Sequence, residues 1–324
     1  MRTGLIYLFL ILSGNLVLAQ VKQEVITKVD TYPFRFNHYE QLSKRVMADF
    51  EGDYDRAAAI YTWVARNIQY DAKAFFSGRT IKSVRYSYRN EAEKIQKEQA
   101  LREELAMETL KKKRAVCQGY SELFRLVCRA CGIRCEVISG YSRTGVSDIG
   151  QSKPKADHAW NAIIIDNAWL FVDATWGAGH VNYKTKQFVP DFTAAYFAVD
   201  ADMFTYNHFP EEPAWNYTKL SLKDFSEQPL VYHSFFGKGF ELVSRQGKIT
   251  KARKGQIVIE LKATSDKQHT FYYAFRDMKY MQPARIDVKG KLHVLTIDVG
   301  NRRSAYVDII IDDETVLTYQ LQLR

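Results

Sequence analysis

The stretch Cys117-Gln118-Gly119-Tyr120-Ser121-Glu122-Leu123-Phe124-Arg125-Leu126-Val127-Cys128-Arg129-Ala130-Cys131-Gly132 decides how this chain is read. Tyr120, Leu123, Phe124, Val127, Cys128 and Cys131 recur at the spacing of one helical face, which predicts a buried helix. Gly132 stands where a left-handed cap usually ends such a helix. Three strand-like stretches follow, Arg134 to Tyr141, Asp157 to Ile165 and Ala168 to Thr175, with a polar loop from Ser142 to Ala156 between the first two. Asp166-Asn167 is a two-residue hairpin signal. A two-residue turn there pairs Ile165 with Ala168, sets Trp160 opposite Asp173 and sets His158 opposite Thr175. His158 and Asp173 are then diagonal neighbours on one face. A helix followed by antiparallel strands is an α+β pattern.

This arrangement carries chemistry. A thiol is a nucleophile as the thiolate, and a helix N-terminus or a nearby imidazolium favours that form. Cys117 stands at the predicted helix start, with Lys111-Lys112-Lys113-Arg114 just before it. Position alone favours an ordinary buried cysteine, since free Cys is among the most buried residue types. His158 as base and Asp173 as the group that orients it shift the reading toward a Cys-His-Asp set. An aspartate directly after Trp169-Leu170-Phe171-Val172 needs a partner, and His158 is the obvious one.

Upstream, Ala57, Ile60, Tyr61, Val64 and Ile68 predict a helix over 53–70. Residues 20–45 read as an extended lead-in. Asn90 to Leu110 reads as a surface helix with a thin apolar stripe. From about residue 225 the pattern changes to short alternating segments, 256–264, 269–275, 291–299, 305–311 and 316–323, which predict an antiparallel β-sandwich. The expected units are 20–225 and 226–324, with an accessible connection near Ser226–Pro229.

The 324 residues suffice for two such units, and 46% hydrophobic with 14% aromatic residues excludes global disorder. Arg2, the apolar run Leu5 to Leu12 and Val17-Leu18-Ala19 read as a signal peptide over residues 1–19. The expectation is an exported chain, periplasmic or extracellular, with no integral membrane segment after signal removal. The net charge of +9 is spread along the chain, so no nucleic-acid partner is expected, and 111–114 reads as a solvated helix end. Cys117, Cys128, Cys131 and Cys135 lie too close together for a disulfide scaffold. A fourth ligand at zinc spacing is missing from their neighbourhood, so no metal is expected and the last three read as buried thiols.

Three segments together resemble the transglutaminase-like superfamily. Arg114-Ala115-Val116-Cys117-Gln118-Gly119-Tyr120-Ser121 is similar to its nucleophile motif, Asp157-His158-Ala159-Trp160-Asn161 to its histidine motif, and Trp169-Leu170-Phe171-Val172-Asp173-Ala174-Thr175-Trp176-Gly177 to its aspartate motif. Residues 60–71 resemble the helix that precedes the nucleophile. Tyr196-Phe197 and His208-Phe209-Pro210-Glu211-Glu212-Pro213-Ala214-Trp215 resemble the kyphoscoliosis-peptidase branch.

The resemblance implies a papain/transglutaminase-like core, with the nucleophile helix packed on an antiparallel sheet. It implies a thiol enzyme acting on protein or peptide amides through a thioester, without a cofactor. Hydrolysis is the favoured outcome. Transamidation, or a binding and assembly protein that keeps the fold without turnover, are the alternatives. The sandwich would dock a cell-envelope polymer or a partner protein. Trp63, Gln118, Trp160, Trp176 and His180 are the candidate cleft residues, and His208 reads as structural. An oxyanion hole would use the Cys117 N–H and a second donor that the sequence does not identify.

Overall fold

The computed structural model describes residues 21–78, 87–153 and 155–323. The expected signal peptide lies outside the described residues.

The stretch expected to be an extended lead-in contains two helices, α1 (Gln23–Val29) and α2 (Tyr39–Asp49). Val25 with Val29, and Leu42 with Val46, are i,i+4 apolar pairs, and all four are buried. Both helices pack on α3 (Asp53–Asn67), the helix expected over 53–70. The helix α4 (Glu91–Lys112) is less peripheral than its thin stripe suggested. Ala106, Thr109 and Leu110 are buried where it meets α5 (Cys117–Ala130). Gly119 is what lets α5 start so close to α4, because a Cβ there would collide with Thr109 Oγ1 and the Ala115 methyl.

The sheet strands are β1 (Cys135–Ser142), β2 (His158–Ile165), β3 (Ala168–Val172) and β4 (His208–Pro210), in the antiparallel order β3-β2-β1-β4. Ile165 pairs with Ala168 as the turn signal required. Asp166 and Asn167 both take positive φ, 49° and 62°, the backbone of a type I′ turn. The third strand ends at Val172, earlier than expected, because Asp173 caps a short helix, α6 (Ala174–Ala178). The diagonal position of Asp173 on the strand is therefore replaced by a cap position, and the β2–β3 ladder stops at Asn161 and Val172.

Both faces of this sheet are covered. Cys135, Ile163, Ile165 and Val172 join the core made with α1, α2, α3 and α5. Ile138, Trp160, Ala162 and Phe171 join a second core that continues into the C-terminal strands. Two covered faces explain why β2 reads as a near-continuous apolar run rather than an alternation.

The C-terminal segments form two mainly antiparallel sheets. One holds β5 (Phe240–Leu242), β6 (Gln256–Ala263), β8 (Arg285–Lys289) and β9 (Leu292–Asp298) in the order β5-β6-β9-β8. The other is built on β7 (Phe271–Phe275), β10 (Ser304–Ile311) and β11 (Glu314–Gln322) in the order β11-β10-β7. Ile257, Ile259, Leu295 and Ile297 from the first meet Val307, Ile309, Leu317 and Tyr319 from the second in one core. Ser226 and Gln228 in the expected connection are buried, and the buried Arg143 donates to the Gln228 and Pro229 carbonyls. The accessible linker expected at 226–229 is instead a packed seam.

Candidate active site

Val116 caps α5 and Cys117 is its first helical residue. The first N–H groups of a helix have no intrahelical acceptor, so they face outward where the Cys117 side chain emerges. Cys117 is half-buried, whereas Cys128, Cys131 and Cys135 are buried free thiols. Burial pushes Cys131 up to about 11 and raises Cys128 strongly, with Cys135 adding to the latter.

His158 Nε2 lies 2.7 Å from Asp173 Oδ2, and both residues are buried. Cys117 also acts on this imidazole. Burial alone would lower the His158 pKa, but the charge and hydrogen bond of Asp173, followed by the thiol, push it up to about 10. Burial alone would raise Asp173. The charge of His158 and the bonds from both neighbouring histidines hold it well below the usual carboxylate range.

Asp173 is saturated with donors. Its Oδ1 accepts from the N–H groups of Thr175 at 2.8 Å and Trp176 at 3.0 Å, as a helix cap does. Its Oδ2 accepts from His158 and also from His208 Nε2 at 3.0 Å. The sequence reading missed this role of His208. The nearby signal was an imidazole in an otherwise apolar strand, His208-Phe209-Pro210, that pairs with β1.

The candidate cleft residues divide. Trp176 lies on the His158 ring at 5.4 Å between centroids, stacked within 30°. Trp160 is buried beneath the same ring at 6.1 Å. Gln118 follows Cys117 but turns to Glu122, donating to Oε1 at 3.0 Å. Glu122 is itself buried and paired with Arg125 at 2.8 Å and Arg102 at 2.9 Å. Trp63 is fully buried, bonded to the Pro33 carbonyl and covered by Lys113 Nζ at 3.8 Å, so it belongs to the core and not to a cleft. His180 sits on an exposed ribbon, 4.0 Å from Asp191.

His158, Asp173 and His208 bring one imidazole or carboxylate atom each within 4.8 Å of the others. Among the described residues, theirs is the grouping whose atom types suit a metal ion. Those same atoms are hydrogen-bonded to one another. A buried, ionised carboxylate holding one nitrogen of an imidazole on which a half-buried thiol also acts can favour a thiolate–imidazolium pair.

The profile of the transglutaminase-like superfamily matches residues 40–174, which contain Cys117, His158 and Asp173. Kyphoscoliosis peptidase of Mus musculus is 27% identical over 226 residues, 69% of this chain and 31% of that protein. A LIM and transglutaminase domain protein of Caenorhabditis elegans is 33% identical over 132 residues, 37% of this chain and 18% of that protein. A crystal structure of a TGase aligns with 47% of this chain and 32% of its own, at 16% identity and a TM-score of 0.28. The matched part spans about a third of the length of the kyphoscoliosis peptidases of mouse and Homo sapiens. Residues 40–174 thus form a domain of the transglutaminase-like superfamily, in the branch that includes kyphoscoliosis peptidase.

Proposed function

We propose that this protein is a thiol enzyme acting on protein or peptide amides, with Cys117 as nucleophile, His158 as acid–base group and Asp173 as its anchor. The observation that carries the reading is the 2.7 Å bond from His158 Nε2 to Asp173. It commits Nε2 and leaves Nδ1 as the ring atom available to the thiol. The Cys117 sulfur attacks the amide carbonyl carbon, and the C=O pair moves to oxygen, where the Cys117 N–H is a ready donor. The C–N bond then breaks, and the leaving amine takes the proton from His158 Nδ1. A thioester remains. Water, deprotonated by the now neutral His158, attacks it and releases the carboxylic acid and the thiolate.

Hydrolysis is the favoured outcome, because water is the acceptor present in excess and the related full-length proteins in mouse and human are named peptidases. The test is incubation of the wild type and Cys117→Ala with a casein acyl donor, with and without a labelled primary amine. Free acid or cleaved peptide from the wild type alone supports hydrolysis. Amine incorporation identifies transamidation. Silence in both, with no acyl-enzyme by intact mass, refutes the enzyme reading and favours a binding protein.

Export belongs to the same proposal and is supported by Arg2, the run Leu5 to Leu12 and the Val17-x-Ala19 pattern. N-terminal mass analysis of the exported fraction should begin near Gln20. An intact Met1 in the cytoplasm would refute it.

A further inference from the structure

We propose that His208 is a positioning residue for the triad, a neutral imidazole that fixes the Asp173 carboxylate in the one orientation that meets His158. The proposal rests on the thiol-enzyme reading and extends it.

The geometry starts at Asp173. Its Oδ1 is held by two backbone N–H groups, so the carboxylate can still rock about that fixed oxygen. Its Oδ2 takes His158 at 2.7 Å and His208 at 3.0 Å. His158 is the ring that must exchange protons with the thiol and the leaving group, so it is a poor anchor for its own anchor. His208 has no such freedom. Its ring is fully buried and stacks on Phe204 at 4.0 Å between centroids and within 16°. Trp176 lies 4.4 Å away on another side, and the Trp160 edge lies at 5.1 Å. Its backbone is paired with Ser142 in the sheet.

Charge explains why a histidine occupies the place. The centroids of His158 and His208 are 5.4 Å apart, with one buried carboxylate between them. One buried anion supports one buried cation, and a lysine or arginine at 208 would compete with His158 for that role. Burial keeps His208 neutral near pH 7. It therefore donates through Nε2 without taking the charge that His158 needs. A simple space-filler would be served as well by phenylalanine. The Phe204 backbone also acts on the His208 ring, but His208 Nδ1 is buried without a hydrogen bond of ordinary geometry, so the main polar gain of this imidazole lies in its bond to Asp173.

The experiment compares full-length wild type, His208→Phe, His208→Gln and His158→Ala. The rate of Cys117 alkylation by iodoacetamide is measured from pH 5 to 10, with near-UV circular dichroism to establish the folded fraction. Phenylalanine keeps the stack and removes the donor. Glutamine places an amide N–H at about the same reach. The expected result is alkylation near pH 7 slowed about tenfold in folded His208→Phe, the size of one lost hydrogen bond to a charged group, and restored to within about threefold in His208→Gln. Equal slowing in both folded variants overturns the proposal, because the donor is then not what matters. So does a wild-type rate in His208→Phe when His158→Ala is slow, an outcome that leaves the thiol-enzyme reading standing. If His208→Phe does not fold, a folded His208→Gln slowed tenfold overturns it, and one at the wild-type rate with an unchanged pH profile supports it. A wild-type rate in His158→Ala removes the dyad reading and the proposal together.

Discussion

His158 binds Asp173 through Nε2, at 2.7 Å, and so leaves Nδ1 as the ring nitrogen that is not committed to the carboxylate. The ionised carboxylate favours the ring forms that carry a proton on Nε2. The same carboxylate also caps α6, so the orientation of the base and the start of that helix depend on one side chain.

The thiol chemistry should be confined to one cysteine. Cys117 is half-buried, and the other three cysteines are buried. One equivalent of iodoacetamide should add rapidly to the native protein at neutral pH, and Cys117→Ala should abolish that addition. Intact mass with peptide mapping reads the result, and rapid labelling at Cys128 or Cys135 would contradict the burial described here.

The two histidines should bend the stability curve in opposite directions. Burial holds His208 down at about 4. The unfolded chain binds a proton from about pH 6.5 downward, and the folded chain refuses it until about pH 4. Stability should therefore fall as pH drops through that window, by ~3 kcal/mol in all, and level off below it. Asp173, depressed far below the usual range, gives up its contribution only in stronger acid. His158 is raised to about 10, so its contribution is full below about pH 6.5 and is lost as pH rises through 10. Urea unfolding between pH 4 and pH 10 measures both limbs, and His208→Gln should flatten the acid one alone.

Glu122 should prove a stability residue. It is fully buried and joins Arg125 on its own helix to Arg102 on α4. Glu122→Leu leaves the buried Arg125 guanidinium without this partner and should destabilise the fold by ~3–5 kcal/mol. Glu122→Gln should lose less, since an amide oxygen still accepts. Denaturant midpoints at constant slope decide between them.

The seam between the helical part and the sandwich should resist proteases. Arg143 holds the carbonyls of Gln228 and Pro229 from the loop after β1. Subtilisin should leave 226–229 intact in the native wild type and open it in Arg143→Ala. Rapid cutting of the wild type at 226–229 would restore the picture of two units joined by an accessible linker.

Much of this protein is set locally. The apolar spacing from Tyr120 to Cys131 specifies a buried helix in any context, and Asp166-Asn167 admits the positive φ values that close β2 onto β3. With register fixed by that turn, His158 and Asp173 are legible as neighbours, because strand and strand end are short-range features. Other features were decided by tertiary structure. The helices α1 and α2 carry weak stripes and form because α3 offers a surface that buries Val25, Val29, Leu42 and Val46. Asp173 left the strand because the free N–H groups of Thr175 and Trp176 take its carboxylate as a cap. Trp63 looked like a cleft residue and is core, since α3 is covered on that side by the segment around Pro33. His208 lies 35 residues from Asp173, and no local pattern spans that distance. Its place depends on β4 pairing with the far edge of β1, a long-range contact whose partner is chosen by packing and not by sequence spacing.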